Sequence, residues 1–184
     1  MSYIEVYNEQ LHDLLNPATQ PTKLIIFEDE LGHTQVKNLH EEIVRSETEV
    51  MDLIRKGIHN RHVSATAMNA QSSRSHAVFT MIIESREVLS DSFRFANNNK
   101  KSMKEKGSAV TVSCLYLVDL AGSERGDKTM AVGKTAREGA FINKSLLNLS
   151  ICITQLAKAG GKKVQSNFRD SKLTRLIRVG LGGN

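Results

Sequence analysis

The chain has 184 residues, 40% of them hydrophobic, enough to bury a core within one domain and too few for two domains of ordinary size. No apolar run approaches the roughly 18 residues a membrane span requires, and the opening MSYIEVYNEQ lacks the basic, apolar, small-residue layout of a secretory signal. The sequence therefore predicts a soluble intracellular protein. Cys114 and Cys152 are far apart, with no CxxC pair, which excludes a disulfide framework or a zinc site and points to a reducing compartment.

The net charge of +5 conceals an asymmetry. Residues 1–92 carry eight basic and fourteen acidic side chains, net −6, whereas residues 93–184 carry seventeen and six, net +11. Such a half calls for an acidic partner, and charge alone leaves nucleic acid, an acidic membrane and an acidic protein surface open. Aromatics make up only 5% and tryptophan is absent. The basic stretches thus lack the interleaved rings on which single strands stack, which favours acidic protein over nucleic acid.

In chain order, SYIEVY (2–7) and LIIF (24–27) read as strands, separated by a loop containing Asn16-Pro17 and Pro21. Ser46 followed by Glu49 is a capping-box pattern, and Val50, Leu53, Ile54 and Ile58 recur at helical spacing, predicting a helix over about 47–60. HAVFTMII (76–83) and VSCLYLVDL (112–120) are apolar on both faces, as in the middle of a covered sheet. The asparagine- and lysine-rich stretch 87–108 between them predicts a mobile insertion loop. Ile142, Leu146, Leu149, Ile153 and Leu156 form the stripe of a long helix over about 140–159, with Gly160-Gly161 as its stop. Asp170 or Ser171 caps a last helix carrying Leu173, Leu176 and Ile177. Strands mixed with helices define an α/β class.

Two clusters carry chemistry. LYLVDLAGSE (115–124) is a hydrophobic strand delivering Asp119 at its carboxyl end, with Gly122 three residues on. An acidic residue there can hold the hydration shell of Mg²⁺, and a glycine lets its N–H approach a terminal phosphate. Taken alone, DLAG is equally a strand ending in a turn aspartate. NAQSSRSH (69–76) gathers three serine hydroxyls and Arg74 into a loop before a buried strand, where Arg74 is within reach of Glu124 past the other strand end. His76 reads as a structural hydrogen-bonder. Gly133-Lys134-Thr135 ends like a phosphate-binding loop, but Lys128 stands where the motif requires glycine. No G-x-S-x-G or H-E-x-x-H is present, which leaves serine-hydrolase and zinc-peptidase chemistry unsupported.

Together, SYIEVYNEQLHDLL (2–15), NRHVSATAMNAQSSRSH (60–76), LYLVDLAGSER (115–125), EGAFINKSLLNLS (138–150), FRDSKLTRLI (168–177) and LGGN (181–184) resemble, in order, the later part of a kinesin motor domain. The resemblance covers nearly the whole chain. It implies an α/β fold of the kinesin-type P-loop NTPase kind, with a mostly buried central sheet flanked by helices and cut at both ends. It also implies an ATP-driven motor in which SSRSH is switch I and DLAGSE is switch II.

By that match, Ser73 reaches Mg²⁺, Ser72 positions the attacking water, Asp119 holds the ion through water, and Gly122 offers its N–H to the γ-phosphate. Arg74 and Glu124 latch the switches together, and Glu124 belongs to the water network that takes up the nucleophile's proton. Arg125, Lys128, Lys144, Arg169, Lys172 and Arg175 face the microtubule, whose acidic surface suits the +11 half. The resemblance leaves no role for nucleic acid or membrane, and it places the protein in the cytoplasm on the microtubule cytoskeleton.

The 184 residues start where the family already has a P-loop and stop before its last strand and neck, so the resemblance predicts a fragment with poor ATPase activity of its own. Asn167-Phe168 replaces the usual proline and tyrosine, Leu149-Ser150 a common leucine-glycine step, and Arg178-Val179-Gly180 a more polar stretch. The rival expectation is a noncatalytic microtubule-binding module. A basic duplex binder stands third and predicts a steep salt dependence.

Overall fold

The computed structural model describes residues 1–30, 32–64, 73–86, 110–122, 134–160 and 167–182. β1 (Ser2–Tyr7) and β2 (Gln10–Asp13) form a two-residue hairpin, in which Tyr7 pairs Gln10 across the turn. Asn8 and Glu9 have φ of 50° and 55°, the left-handed pair that matches the strands' twist. β3 (Ile25–Glu28) and β4 (Thr34–Lys37) form a separate antiparallel hairpin. Helix α1 (Glu47–Ser64) precedes the long strands β5 (His76–Arg86) and β6 (Val110–Asp119). Helix α2 (Lys134–Ala159), a 3-10 turn at Phe168–Asp170 and the short α3 (Lys172–Leu176) follow. The main sheet has the order β2-β1-β5-β6, with every pair antiparallel.

Strand alternation sends β1 and β5 side chains to two different cores. Ile4, Val6 and Val78 pack with Leu24 and Ile26 of the second hairpin, Leu149 of α2, and Leu173, Leu176 and Ile177 around α3. Tyr3, Ala77 and Phe79 pack on the opposite face with Leu14 and Leu15, under Val50, Leu53 and Ile54 of α1. The two rings Tyr3 and Phe79 meet edge to face, with centroids 5.8 Å apart. α1 reaches the sheet closely because Gly57 sits on the Tyr3 ring; a Cβ there would meet Tyr3 Cε1 at 2.6 Å. Ser46 caps α1 by accepting from Glu49 N–H at 3.3 Å, while the Glu49 carboxylate accepts from Arg45 N–H at 2.6 Å.

Several expectations need correction. Ile58 is exposed, because α1 turns Gly57 toward the sheet. The buried face of α2 runs through Glu138, Ser145, Leu149 and Cys152 and leaves Ile153 48% exposed, so the helix is rotated from the stripe expected by hydrophobicity. The rotation follows from the polar contacts of Glu138 and Ser145 described below. β6 pairs only with β5 among the described residues, and Leu115 and Leu117 are exposed, so it is an edge strand and not the covered one expected. Ser171, not Asp170, caps α3, accepting from Thr174 N–H at 3.2 Å. The proposed insertion loop at 87–108 lies outside the described residues. Among the described residues no helix is long and apolar enough to cross a membrane.

Candidate functional site

The chain brings the start of β5, the end of β6 and the first half of α2 together, because Ala77 pairs Asp119 in the β5–β6 ladder. This places the segment leading into β5 beside the segment leaving β6. Gly122 N–H donates to the Ser73 carbonyl at 2.9 Å, a backbone bond that joins the two sequence clusters directly. Ser73 is exposed, and the Asp119 side chain is 68% exposed. An open cleft of about 370 Å³ beside Asp119, lined also by Tyr3, Ile54, Phe79 and Leu117, lies on the α1 side of the sheet.

Arg74 Nη1 donates to Glu138 Oε2 at 3.0 Å, and Tyr7 Oη donates to the other oxygen, Oε1, at 2.7 Å. Glu138 is 6% exposed, so α2 contributes a nearly buried carboxylate that clamps the SSRSH segment to β1. Burial first, then the bond to Glu138, raises the Tyr7 phenol above its usual range. Glu138 is thus a partner of Arg74 that the sequence did not reveal. Glu124, the expected latch partner, lies outside the described residues, as do Ser72, Arg125 and Lys128.

His76 is buried and makes two bonds. Its Nδ1 accepts from Ala121 N–H at 3.0 Å, which places the ring proton on Nε2, and Nε2 donates to Ser145 Oγ at 2.7 Å. Ser145 Oγ donates onward to the Ile142 carbonyl at 2.8 Å. A continuous relay therefore runs from the DLAG backbone through β5 into α2. Burial, aided by the Arg61 charge, lowers the His76 pKa to about 4, so the ring is neutral at physiological pH.

Arg61, near the end of α1, donates from Nη1 to Asp119 Oδ2 at 2.7 Å and from Nη2 to the Ser75 carbonyl at 2.9 Å. Its side chain is 8% exposed. Like Glu138, it carries no local motif, since arginine and glutamate on helices ordinarily read as solvated surface. Only the joining of α1, β5 and β6 makes it a site residue.

Of the basic residues expected on an outer face, Lys144 on α2 and Arg169 before α3 are exposed. Arg169 Nη2 donates to Glu28 at 3.0 and 3.2 Å, and Arg178 lies 3.3 Å from the same carboxylate. These bonds, Arg169 first, hold the Glu28 carboxyl below its usual range. Lys172 N–H donates to Glu9 Oε2 at 3.0 Å, tying α3 to the first hairpin. Arg175 is half-buried, and its Nε has no partner. Phe168, in place of a tyrosine, is buried in the fold rather than displayed on a surface.

With this geometry established, comparison places the chain in a family. The kinesin motor domain model matches residues 1–184, so the chain belongs to the kinesin motor-domain family. It is 44% identical to "Kinesin-like protein KIN-7O" of Arabidopsis thaliana and 41% identical to "Kinesin-like protein KIF19" of Xenopus laevis, each alignment covering 100% of this chain. The chain spans 14% and 17% of those proteins. Among solved structures, a fast kinesin described with its ATPase mechanism and microtubule interactions aligns with a TM-score of 0.72 and 37% identity, over 96% of this chain and 44% of that one. A KIF14 dimer with AMP-PNP in complex with a microtubule aligns with a TM-score of 0.74 and 35% identity, over 100% of this chain and 48% of that one.

Proposed function

We propose that these residues form the switch-bearing part of an ATP-driven microtubule motor, acting in the cytoplasm on the cytoskeleton. The observation that carries the reading is the Gly122 N–H to Ser73 carbonyl bond, which makes the two switch segments a single hydrogen-bonded unit beside Asp119. An exposed carboxylate and an exposed hydroxyl are the hard oxygen donors that suit Mg²⁺. Asp119 and Ser73 are the residues that would hold it.

Bound Mg-ATP would supply the phosphoanhydride and the charge neutralisation for phosphoryl transfer. The chain's own residues supply positioning. Gly122 has its N–H committed to the Ser73 carbonyl and is the backbone donor that would serve a phosphate oxygen. Ser72 would orient the water, and Arg74, held by Glu138 in this arrangement, would be the cation that latches switch I to Glu124. Asp119, bonded to Arg61 here, is the carboxylate that would hold the ion. A displacement of Ala121 pulls on His76 and through it on Ser145 of α2, so the state of switch II reaches a helix 26 residues long.

We assign the microtubule-facing surface to Arg125, Lys128, Lys144, Lys172 and Arg175, with Arg169 in a lesser role because Glu28 already neutralises it. Relatives in this family include one solved on a microtubule, which supports the assignment. Cosedimentation of the chain with polymerised tubulin at increasing salt tests it. Binding that weakens in the Lys144→Ala, Lys172→Ala and Arg175→Ala combination supports this face; unchanged binding removes it.

A further inference from the structure

Arg61 stands between two carboxylates in opposite environments. Asp119 is exposed and bonded to it, Nη1 to Oδ2 at 2.7 Å. Glu5, on β1, is fully buried, and neither of its oxygens has a hydrogen-bond partner. Its contact with Arg61 is a 3.7 Å approach from Oε1 to Nε, too long for a hydrogen bond. A carboxylate taken wholly out of water with both oxygens unbonded is among the most costly arrangements a fold can hold, and a neighbouring guanidinium is what makes it tolerable. Arg61 is meanwhile pivoted on Ser75, whose carbonyl accepts from Nη2 at 2.9 Å and whose hydroxyl accepts from Nε and Nη2 at 3.3 Å. If Nη2 alone keeps the Ser75 anchor, the single Nε–H, now on the Ser75 hydroxyl, can turn to Glu5 Oε1, 3.7 Å from Nε, as Nη1 leaves Asp119.

We propose that Glu5 is the second seat of Arg61: a positioning residue that takes the guanidinium when Asp119 turns to a divalent cation. The proposal rests on the reading of Asp119 as the cation-holding residue. A cation and Arg61 compete for the Asp119 carboxylate, so any group that holds Arg61 elsewhere strengthens cation binding, and the coupling is reciprocal. Among the described residues, Glu5 is a buried carboxylate beside Arg61 with both oxygens lacking a hydrogen-bond partner. The exchange moves a fixed positive charge between the floor of the sheet and its rim without adding a net charge to the buried site. It also explains why β1 carries a glutamate at a position that is otherwise core.

The test is titration of the ¹⁵N-labelled 184-residue chain with Mn²⁺ alone, following paramagnetic broadening of the Ala121 and Gly122 amides against the remote Leu173 amide. Glu5→Gln is expected to weaken Mn²⁺ binding by at least about fivefold. In an Arg61→Gln background the same substitution should change it by less than about twofold, the residue left by the through-space charge of Glu5. If Glu5→Gln does not fold, Glu5→Asp, which retracts the carboxylate by one methylene, should weaken binding in the same direction by a smaller factor. A merely structural Glu5 would lower stability without moving the Mn²⁺ constant, and that result in the folded variant overturns the second seat. Equal effects of Glu5→Gln with and without Arg61 overturn it too. Absence of local broadening in both the wild type and the Arg61→Gln/Glu5→Gln pair overturns the cation reading of Asp119 and the second seat with it.

Discussion

His76 should make this fold sensitive to mild acid. Its folded pKa of about 4 lies below the ordinary 6.5, so between those values the unfolded chain binds a proton that the native chain refuses. The stabilisation from keeping His76 neutral is complete above pH 6.5 and is lost as pH falls toward 4. The full difference corresponds to a ceiling of ~3 kcal/mol. Solvent and salt at the open rim weaken the Arg61 repulsion that helps to lower the ring's pKa, which brings the expected value to about 2 kcal/mol. His12 is also lowered, chiefly by burial, so acid lability of the wild type alone does not isolate His76. The His76→Asn variant does, since it retains an acceptor for Ala121 N–H and removes the titrating ring. Urea unfolding of both proteins at pH 7 and at pH 4 should show their stability difference shrinking by about 2 kcal/mol at the lower pH. Parallel pH profiles for the two proteins would refute the neutral, two-bond histidine.

Gly57→Ala should destabilise the chain by about 1–2 kcal/mol in urea unfolding: overlap with the Tyr3 ring outweighs the helix propensity gained. A gain in stability would show that α1 does not press on Tyr3 there. Tyr7→Phe removes one of the two bonds to the Glu138 carboxylate and should cost about 1.5 kcal/mol, with a further loss in Tyr7→Phe/Arg74→Ala that is smaller than the sum of the two single losses. Strict additivity in that cycle would mean Glu138 is no shared clamp.

How much of this was legible beforehand varied with the range of the interactions. SYIEVY declared β1 by alternation, and the capping pair Ser46 and Glu49 marked the start of α1, because these signals lie within a few residues of one another. β2 was missed because its turn is Asn8-Glu9, where asparagine-glycine is the usual signal; β4 was missed because TQVK is short and half-exposed. In the site, Ser73, Arg74, Asp119 and Gly122 were legible as motif residues. Their actual partners were not: Arg61 is 58 residues from Asp119 and Glu138 is 64 from Arg74, so sheet topology and not spacing brings them together. The rotation of α2 has the same origin, since polar Glu138 and Ser145 outrank Ile153 for the buried face once each has a specific partner. The composition of β6, apolar on both faces, misled the reading toward a covered strand, because it pairs on one side only among the described residues and leaves Leu115 and Leu117 exposed.

The most direct test of the central claim is microtubule-stimulated ATP hydrolysis by a motor domain that contains these residues together with a phosphate-binding loop, comparing the wild type with Gly122→Ala. If the Gly122 N–H passes between the Ser73 carbonyl and phosphate, the added Cβ should hold phosphate away from that N–H and reduce turnover by at least about a hundredfold, the scale for a backbone donor that no longer reaches its target, while microtubule cosedimentation persists. Turnover within about twofold of the wild type would contradict the switch assignment.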